Sequence, residues 1–158
     1  LRALARLFDL DWRLTIAGGP LDGATGQALQ AQAAELGIAE RVHFAGTVSG
    51  EALEALWRGT DIFALATRYE GYGMAIAEAL ARGLPVAITE GGAAGRLVTP
   101  EAGALCEVDD VVTLSKALRR MIFDTALRAE MSEAAWALGQ ALPDWRTQGA
   151  AFATALGA

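Results

Sequence analysis

The sequence contains one cysteine, one histidine and one lysine among its 158 residues. A single cysteine, Cys106, excludes an intrachain disulfide and a cysteine-based zinc site. A single histidine, His43, excludes a metal site built on paired histidines. Long hydrophobic runs are also lacking, because no stretch reaches the roughly 18 consecutive apolar residues that a transmembrane helix needs. These absences argue against disulfide-rich, zinc-binding and membrane-spanning proteins.

Basic residues are fewer than acidic ones as well. The chain carries 13 basic and 19 acidic residues, which gives a formal net charge of −6. Nothing in the sequence resembles the Lys/Arg-rich stripe typical of general nucleic-acid binding, so no nucleic-acid partner is predicted. A hydrophobic content of 53% and a mean hydropathy of +0.29 are sufficient for one folded domain with a buried core.

The N-terminal residues do not have the pattern of a signal peptide. Residues 1–6 include no initiator Met, no long apolar stretch and no cleavage site. We therefore expect the chain to begin within a longer polypeptide. The single cysteine is compatible with a reducing, cytoplasmic environment.

Short apolar segments alternate with amphipathic ones along most of the chain. Segments typical of strands buried on both faces lie at 12–17, 41–46, 61–66, 85–89 and 104–108. Segments with helical spacing lie at 27–36, from Ser49 onward, and at 73–82, 111–123, 126–138 and 144–156. This alternation predicts an α/β fold with a doubly wound, Rossmann-like parallel sheet. Ligands of such sheets bind at the carboxyl ends of the strands.

The loop after the third predicted strand has the most informative chemistry. Gly71 and Gly73 flank Tyr72 and lead directly into a helix, whose N-terminal amides attract anions. Glu70 and Glu78 bracket this turn. Glu78 lies in an otherwise apolar helix, where two interpretations stand: it binds adjacent hydroxyls of a sugar or ribose, or it lies on the solvated edge of the helix.

Other conspicuous side chains are expected to have structural roles. His43 is predicted to be structural or to face solvent, and Cys106 to be a small buried hydrophobe. Trp57 and Trp136 fall on apolar helix faces and are predicted to pack in the core. The adjacent Arg119 and Arg120 are expected to be solvated.

Two common phosphate-binding motifs do not fit the sequence. A nicotinamide-binding fingerprint needs a third glycine three residues after Gly73, where this chain has Ile76. A P-loop is absent from the sequence.

The residues around Glu70 resemble a known signature. Segment 61–86, with a Glu, seven intervening residues and a Glu, is similar to that of retaining GT-B glycosyltransferases of family 4, the group 1 transferases. Segments 14–19, 41–46, 83–86 and 89–92 resemble further motifs of that family in the expected order. The resemblance covers roughly residues 1 to 140 and implies a donor-binding, C-terminal half of a GT-B enzyme.

The resemblance also implies roles for individual residues. Glu70 would be catalytic, contacting the transferred sugar near its anomeric carbon, and Glu78 would bind the ribose hydroxyls of a nucleoside diphosphate sugar. The remaining donor-binding positions are the amides of Gly71, Tyr72 and Gly73 for the distal phosphate, main chain at Gly46 to Val48 beside the nucleobase, and Gly18 and Gly19 at a loop approaching the donor.

The wider implications concern organisation and partners. Residues 1–142 would form the nucleotide-sugar-binding domain and 143–158 its C-terminal helix. The family needs no cofactor and no divalent metal. An N-terminal acceptor domain would lie outside this chain. The enzyme would be cytoplasmic, and any contact with a membrane would be made through that acceptor domain. The fragment alone would then be inactive, and its oligomeric state is left open.

The sequence departs from the family pattern in two places. The Arg and Lys that bind the donor diphosphate are absent with the first strand, and the only lysine is Lys116. That strand normally lies at the centre of the sheet, so its neighbours either pair directly or borrow a strand from a partner. After Gly92 the family often has a Pro-Glu pair, whereas this chain has residues 93–96. Two roles are open for Arg96: it directs positive charge toward the donor phosphates, or it is solvated.

The sequence leaves two alternatives to a transferase. The altered segment 93–96 mildly favours a non-catalytic nucleotide or nucleotide-sugar binding module, whereas the presence of both Glu70 and Glu78 opposes it. An epimerase or phosphorylase of related architecture fits less well, because the spacing of the two glutamates is that of the transferases.

Overall fold

The structure is a computed structural model that describes residues 1–19, 22–143 and 145–157. Its strands are β1 (Leu14–Ala17), β2 (Val42–Gly46), β3 (Phe63–Leu65), β4 (Val86–Thr89) and β5 (Gly103–Cys106). Its helices are α1 (Arg2–Ala5), α2 (Ala24–Glu35), α3 (Gly50–Arg58), α4 (Met74–Ala81), α5 (Val111–Phe123), α6 (Thr125–Ala141) and α7 (Trp145–Ala155). Short 3₁₀ helices lie at Ala39–Arg41 and Ala94–Leu97. The predicted alternation and α/β class are confirmed.

All strand pairs in the described part of the chain are parallel, but they form two sheets. β1 pairs with β2, and β3, β4 and β5 pair in that order. β1 and β3 do not pair with each other within the described residues. Direct pairing of the neighbouring strands was one of the two arrangements expected for a sheet without its central strand. The structure does not have that pairing within the described residues. β1 and β3 each have one edge whose backbone donors and acceptors have no strand partner in the described part of the chain.

The two sheets share one layered core. β4 is buried along its whole length, with Ala87 packing into one apolar cluster and Val86 and Ile88 into another. This alternation follows from the two-residue period of a strand. The first cluster includes residues of β2, α1 and α5, and the second includes residues of α4 and α6. Helices thus cover both faces of β4, as the continuous apolar character of segment 85–89 predicts.

The structure confirms some side-chain predictions and corrects others. His43 is exposed and Cys106 is buried, as predicted. Trp136 was predicted in the core but is 53% exposed, because it lies on the outer side of α6. Arg119 is also not simply solvated, since its guanidinium donates two hydrogen bonds to the Asp9 carboxylate, at 2.6 and 2.8 Å.

Cys106 provides a test of this core. Burial raises the pKa of its thiol, and negative charge on Asp110 and Glu90 raises it further. Because the thiolate is the reactive form, we expect a disulfide reagent at neutral pH to label the folded chain far more slowly than the urea-unfolded chain. The labelling rate measured against urea concentration checks this. Equal rates with and without urea would contradict the buried position.

Candidate functional site

The loop between β3 and α4 holds Glu70 by its main chain. The Glu70 amide donates to the Gly91 carbonyl at 2.9 Å, and the Ala93 amide donates to the Glu70 carbonyl at 2.8 Å. Gly91 to Ala93 follow β4, the strand adjacent to β3. The turns after two neighbouring strands therefore fix the position of Glu70 at the carboxyl edge of the sheet.

Gly91 and Gly92 are required for this close approach. A Cβ at Gly92 would lie 2.5 Å from the Glu70 carbonyl oxygen, and Gly92 has a φ of +73°. A Cβ at Gly91 would lie 2.8 Å from the Arg68 carbonyl carbon. This positioning role was not predicted. The signal in the sequence was a Gly pair that begins two residues after the buried strand, since glycine allows close backbone contact.

The Glu70 side chain occupies the N-terminal end of α4. Its Oε1 accepts hydrogen bonds from the Gly73 amide at 2.9 Å and the Tyr72 amide at 3.3 Å. Gly73 is the N-cap of α4 with a φ of +90°. An anion is favoured there by the unpaired amides and the helix dipole. Two of the amides predicted to hold a phosphate thus donate to the Glu70 carboxylate in this structure, and its other oxygen, Oε2, has no partner among the described residues.

Glu78 lies on α4 between the core side and the solvent side of the helix. It is half-buried, follows the exposed Met74 by one turn, and is flanked by the buried Ile76 and Ala79. Its carboxylate accepts no hydrogen bond and forms no ion pair with the described residues. Glu78 is therefore open to a ligand, and Tyr72, at 52% exposure, is likewise accessible.

The remaining predicted positions lie at the ends of β1 and β2. The Gly18 amide donates to the Gly46 carbonyl at 2.7 Å, and both glycines have positive φ, +120° and +66°. Gly19 is exposed and Val48 is half-buried. The structure brings Gly18 and Gly46 into direct contact. Their strands belong to the two-stranded sheet, whereas Glu70 follows a strand of the three-stranded sheet.

A small cavity of about 190 Å³ lies beside the carboxyl ends of β3 and β4. It is lined in part by Arg2, Thr67, Arg68, Thr89 and Asp109. The Thr89 hydroxyl donates to the Thr67 carbonyl at 2.5 Å, and Arg68 forms an ion pair with Asp109 at 3.1 Å. Arg68 belongs to the loop predicted at this edge, whereas Arg2 and Asp109 were not predicted there, because only the sheet topology brings them beside it. Arg96 is exposed.

Within the described residues, no helix is long and apolar enough to cross a membrane. No three or more His, Cys, Asp or Glu side chains in residues 1–19, 22–143 and 145–157 are grouped so that they could hold a metal ion. The predicted reaction without metal or cofactor stays a prediction.

Curated relatives of the chain carry transferase names. It is 34% identical over 156 residues to a GDP-mannose-dependent α-(1-6)-phosphatidylinositol monomannoside mannosyltransferase of Mycolicibacterium smegmatis, covering 92% of this chain and 40% of that protein. It is 33% identical over 141 residues to a D-inositol 3-phosphate glycosyltransferase of Corynebacterium diphtheriae, covering 85% and 33%. The chain therefore spans between a third and two-fifths of the length of these two relatives.

Solved structures agree with the fold. A sucrose-phosphate synthase from Thermosynechococcus elongatus superposes with a TM-score of 0.85 at 25% identity, covering 98% of this chain and 41% of that one. Anabaena HepE in complex with UDP-glucose gives a TM-score of 0.85 at 27% identity, covering 98% and 43%. A family model described as glycosyl transferases group 1 matches residues 1–137. By its sequence, its parallel α/β fold and its matches to known proteins, this chain belongs to the group 1 glycosyltransferase family.

Proposed function

We propose that this chain is the donor-binding domain of a retaining glycosyltransferase that transfers a sugar from a nucleoside diphosphate sugar. The observation that carries the proposal is the placement of Glu70. Its main chain is held by Gly91 and Ala93, and its Oε1 accepts from the two amides that precede α4. Its Oε2 is free to accept from sugar hydroxyls. The structural relative HepE, described in complex with UDP and with UDP-glucose, supports a ligand of this class.

Each predicted site residue has a role in this proposal. Glu70 contacts the transferred sugar beside its anomeric carbon, and Glu78 accepts from the ribose hydroxyls. Tyr72 and Gly73 release the Glu70 carboxylate when the distal phosphate arrives and then donate to that phosphate together with Gly71. Fixed amide dipoles stabilise negative charge that grows on the leaving diphosphate. The ends of β1 and β2, at Gly18, Gly19, Gly46 and Val48, border the nucleotide.

The proposed transfer proceeds with retention and without a metal or cofactor. The bond from the anomeric carbon to the phosphate oxygen breaks, the acceptor oxygen attaches from the same face, and the acceptor proton passes to the departing diphosphate. Acceptor binding is assigned to a separate N-terminal domain of the longer protein. We therefore expect the 158-residue chain alone to bind donor but not to transfer sugar.

A non-catalytic nucleotide-sugar binding module is the second candidate function, favoured by segment 93–96. The two candidates differ in one respect only, because both bind the donor. A longer protein that includes the acceptor domain will consume the donor if it is a transferase. Binding by that protein without turnover would favour the module.

Glu78→Ala tests the donor site. We expect calorimetric titration with a panel of nucleoside diphosphates and their sugars to show base-dependent binding that weakens by about 1–3 kcal/mol in the variant, because a charged hydrogen-bond acceptor is lost. Glu133→Ala removes the same charge from an exposed position on α6 and should leave binding unchanged. Absence of binding by both this chain and the longer protein would overturn the proposed function.

A further inference from the structure

One side of α5 carries exposed basic and apolar residues. Val112, Lys116, Arg120 and Phe123 recur at spacings of three and four and therefore share one helix face. Residues on the opposite side of α5 are buried in the core, including Leu114, Leu118 and Met121. Phe123 is 77% exposed and Val112 is 45% exposed, so large apolar side chains stand beside the charges.

The end of α1 extends this surface. Arg6 and Phe8 line a shallow groove of about 460 Å³ together with Val112, Lys116 and Arg119. Phe8 is 84% exposed. We refer to the residues that combine these two segments as the α1–α5 face: Arg6, Phe8, Val112, Lys116, Arg119, Arg120 and Phe123.

The charge of the α1–α5 face is opposite to that of the whole chain. Four of the 13 basic residues of the chain, Arg6, Lys116, Arg119 and Arg120, lie on this face, and segments 6–8 and 111–123 contain no acidic residue. Asp9 neutralises Arg119, and Asp110 lies near Lys116 at the start of α5. The concentration is not visible in the sequence, because the two segments are about a hundred residues apart.

We propose that the α1–α5 face binds the surface of an anionic phospholipid bilayer. Arg6, Lys116 and Arg120 would meet lipid phosphates, while Phe8 and Phe123 enter the interfacial region. The two exposed phenylalanines favour a bilayer over an acidic protein surface, because an interface of lipid headgroups and acyl chains accommodates aromatic rings and flexible cations together. A net charge of −6 would otherwise repel the chain from such a membrane, so binding requires a localised face.

This proposal is independent of the proposed function. α1 and α5 contribute to the apolar cluster on one side of β4, whereas α4, which follows Glu70, contributes to the cluster on the other side.

Vesicle flotation of the 158-residue chain tests the proposal. We expect binding to phosphatidylcholine vesicles that contain phosphatidylglycerol, no binding to phosphatidylcholine alone, and weakening with added salt. The triple variant Arg6→Glu, Lys116→Glu, Arg120→Glu should bind about 100-fold more weakly. Arg13→Glu, Arg58→Glu, Arg146→Glu changes the net charge equally at other exposed positions and should lose far less.

The aromatic part is tested separately with Phe8→Ser and Phe123→Ser, which leave every charge in place. Weaker binding by this pair supports insertion of the rings. No binding of the unchanged chain to anionic vesicles, or equal losses in the two triple variants, would overturn the proposal. Circular dichroism of each variant establishes that it is folded, and Lys116→Gln with Arg120→Gln provides a milder variant that must still weaken binding.

Discussion

Replacing Glu70 by glutamine is expected to strengthen binding of UDP, about tenfold, while reducing the extra affinity that a sugar adds. The carboxylate accepts from the Tyr72 and Gly73 amides and so competes with a phosphate for the same donors. A neutral amide oxygen is a weaker acceptor and removes a like charge, which frees the end of α4 for the phosphate. The same change weakens hydrogen bonds to sugar hydroxyls. Calorimetric titration with UDP and UDP-glucose measures both effects.

A matched variant separates local competition from general charge. Glu90→Gln removes one exposed carboxylate from the neighbouring turn after β4. Among the described residues, the Glu90 carboxylate accepts no hydrogen bond from the Tyr72 or Gly73 amide. Its effect on UDP affinity should be small. If Glu70→Gln leaves UDP affinity unchanged or lowers it, the carboxylate does not compete with phosphate. The Tyr72 and Gly73 amides would then bind the Glu70 carboxylate and no phosphate. GDP and GDP-mannose are titrated in parallel, because the base is not fixed by the proposal.

Much of the fold was predictable because the sequence patterns that indicate it are local. The alternation of apolar strands with amphipathic helices is a property of a few neighbouring residues, and α5 was predicted with the bounds that the structure has. The helix predicted over 27–36 is followed by Gly37, which has a φ of +69° just after α2. The segment predicted from Ser49 onward forms α3, and Ser49 stands at its N-cap without a side-chain capping bond.

The candidate site was predictable in position but not in detail. The Glu70 loop was located from its glycines and its place after a strand. The bonds that hold it join residues about twenty apart in sequence, through Gly91 and Ala93, and no local pattern reports them. The Asp9 and Arg119 pair spans 110 residues and was missed for the same reason. Which strand edges stay unpaired, as those of β1 and β3 do, likewise depends on how strands distant in sequence pair, and no local pattern indicates this.

Gly92→Ala is expected to destabilise the chain by about 2 kcal/mol or more and to displace Glu70. Two physical terms add at this position. The left-handed φ of +73° costs a residue with a Cβ roughly 1–2 kcal/mol. The new methyl group would also lie 2.5 Å from the Glu70 carbonyl oxygen, which is backbone and can move only by breaking the bonds that hold it. Urea denaturation measures the loss of stability.

Two other glycines separate these terms. Gly37 has a φ of +69° with no atom within 4 Å of an added Cβ, so Gly37→Ala measures the left-handed strain alone. Gly149 has neither constraint and lies within α7, where alanine is expected to stabilise by roughly 0.5–1 kcal/mol. If Gly92→Ala costs no more than Gly37→Ala, the contact with Glu70 contributes nothing. A larger cost, accompanied by loss of the sugar-dependent part of UDP-glucose affinity, would connect the turn after β4 directly to the position of the Glu70 carboxylate.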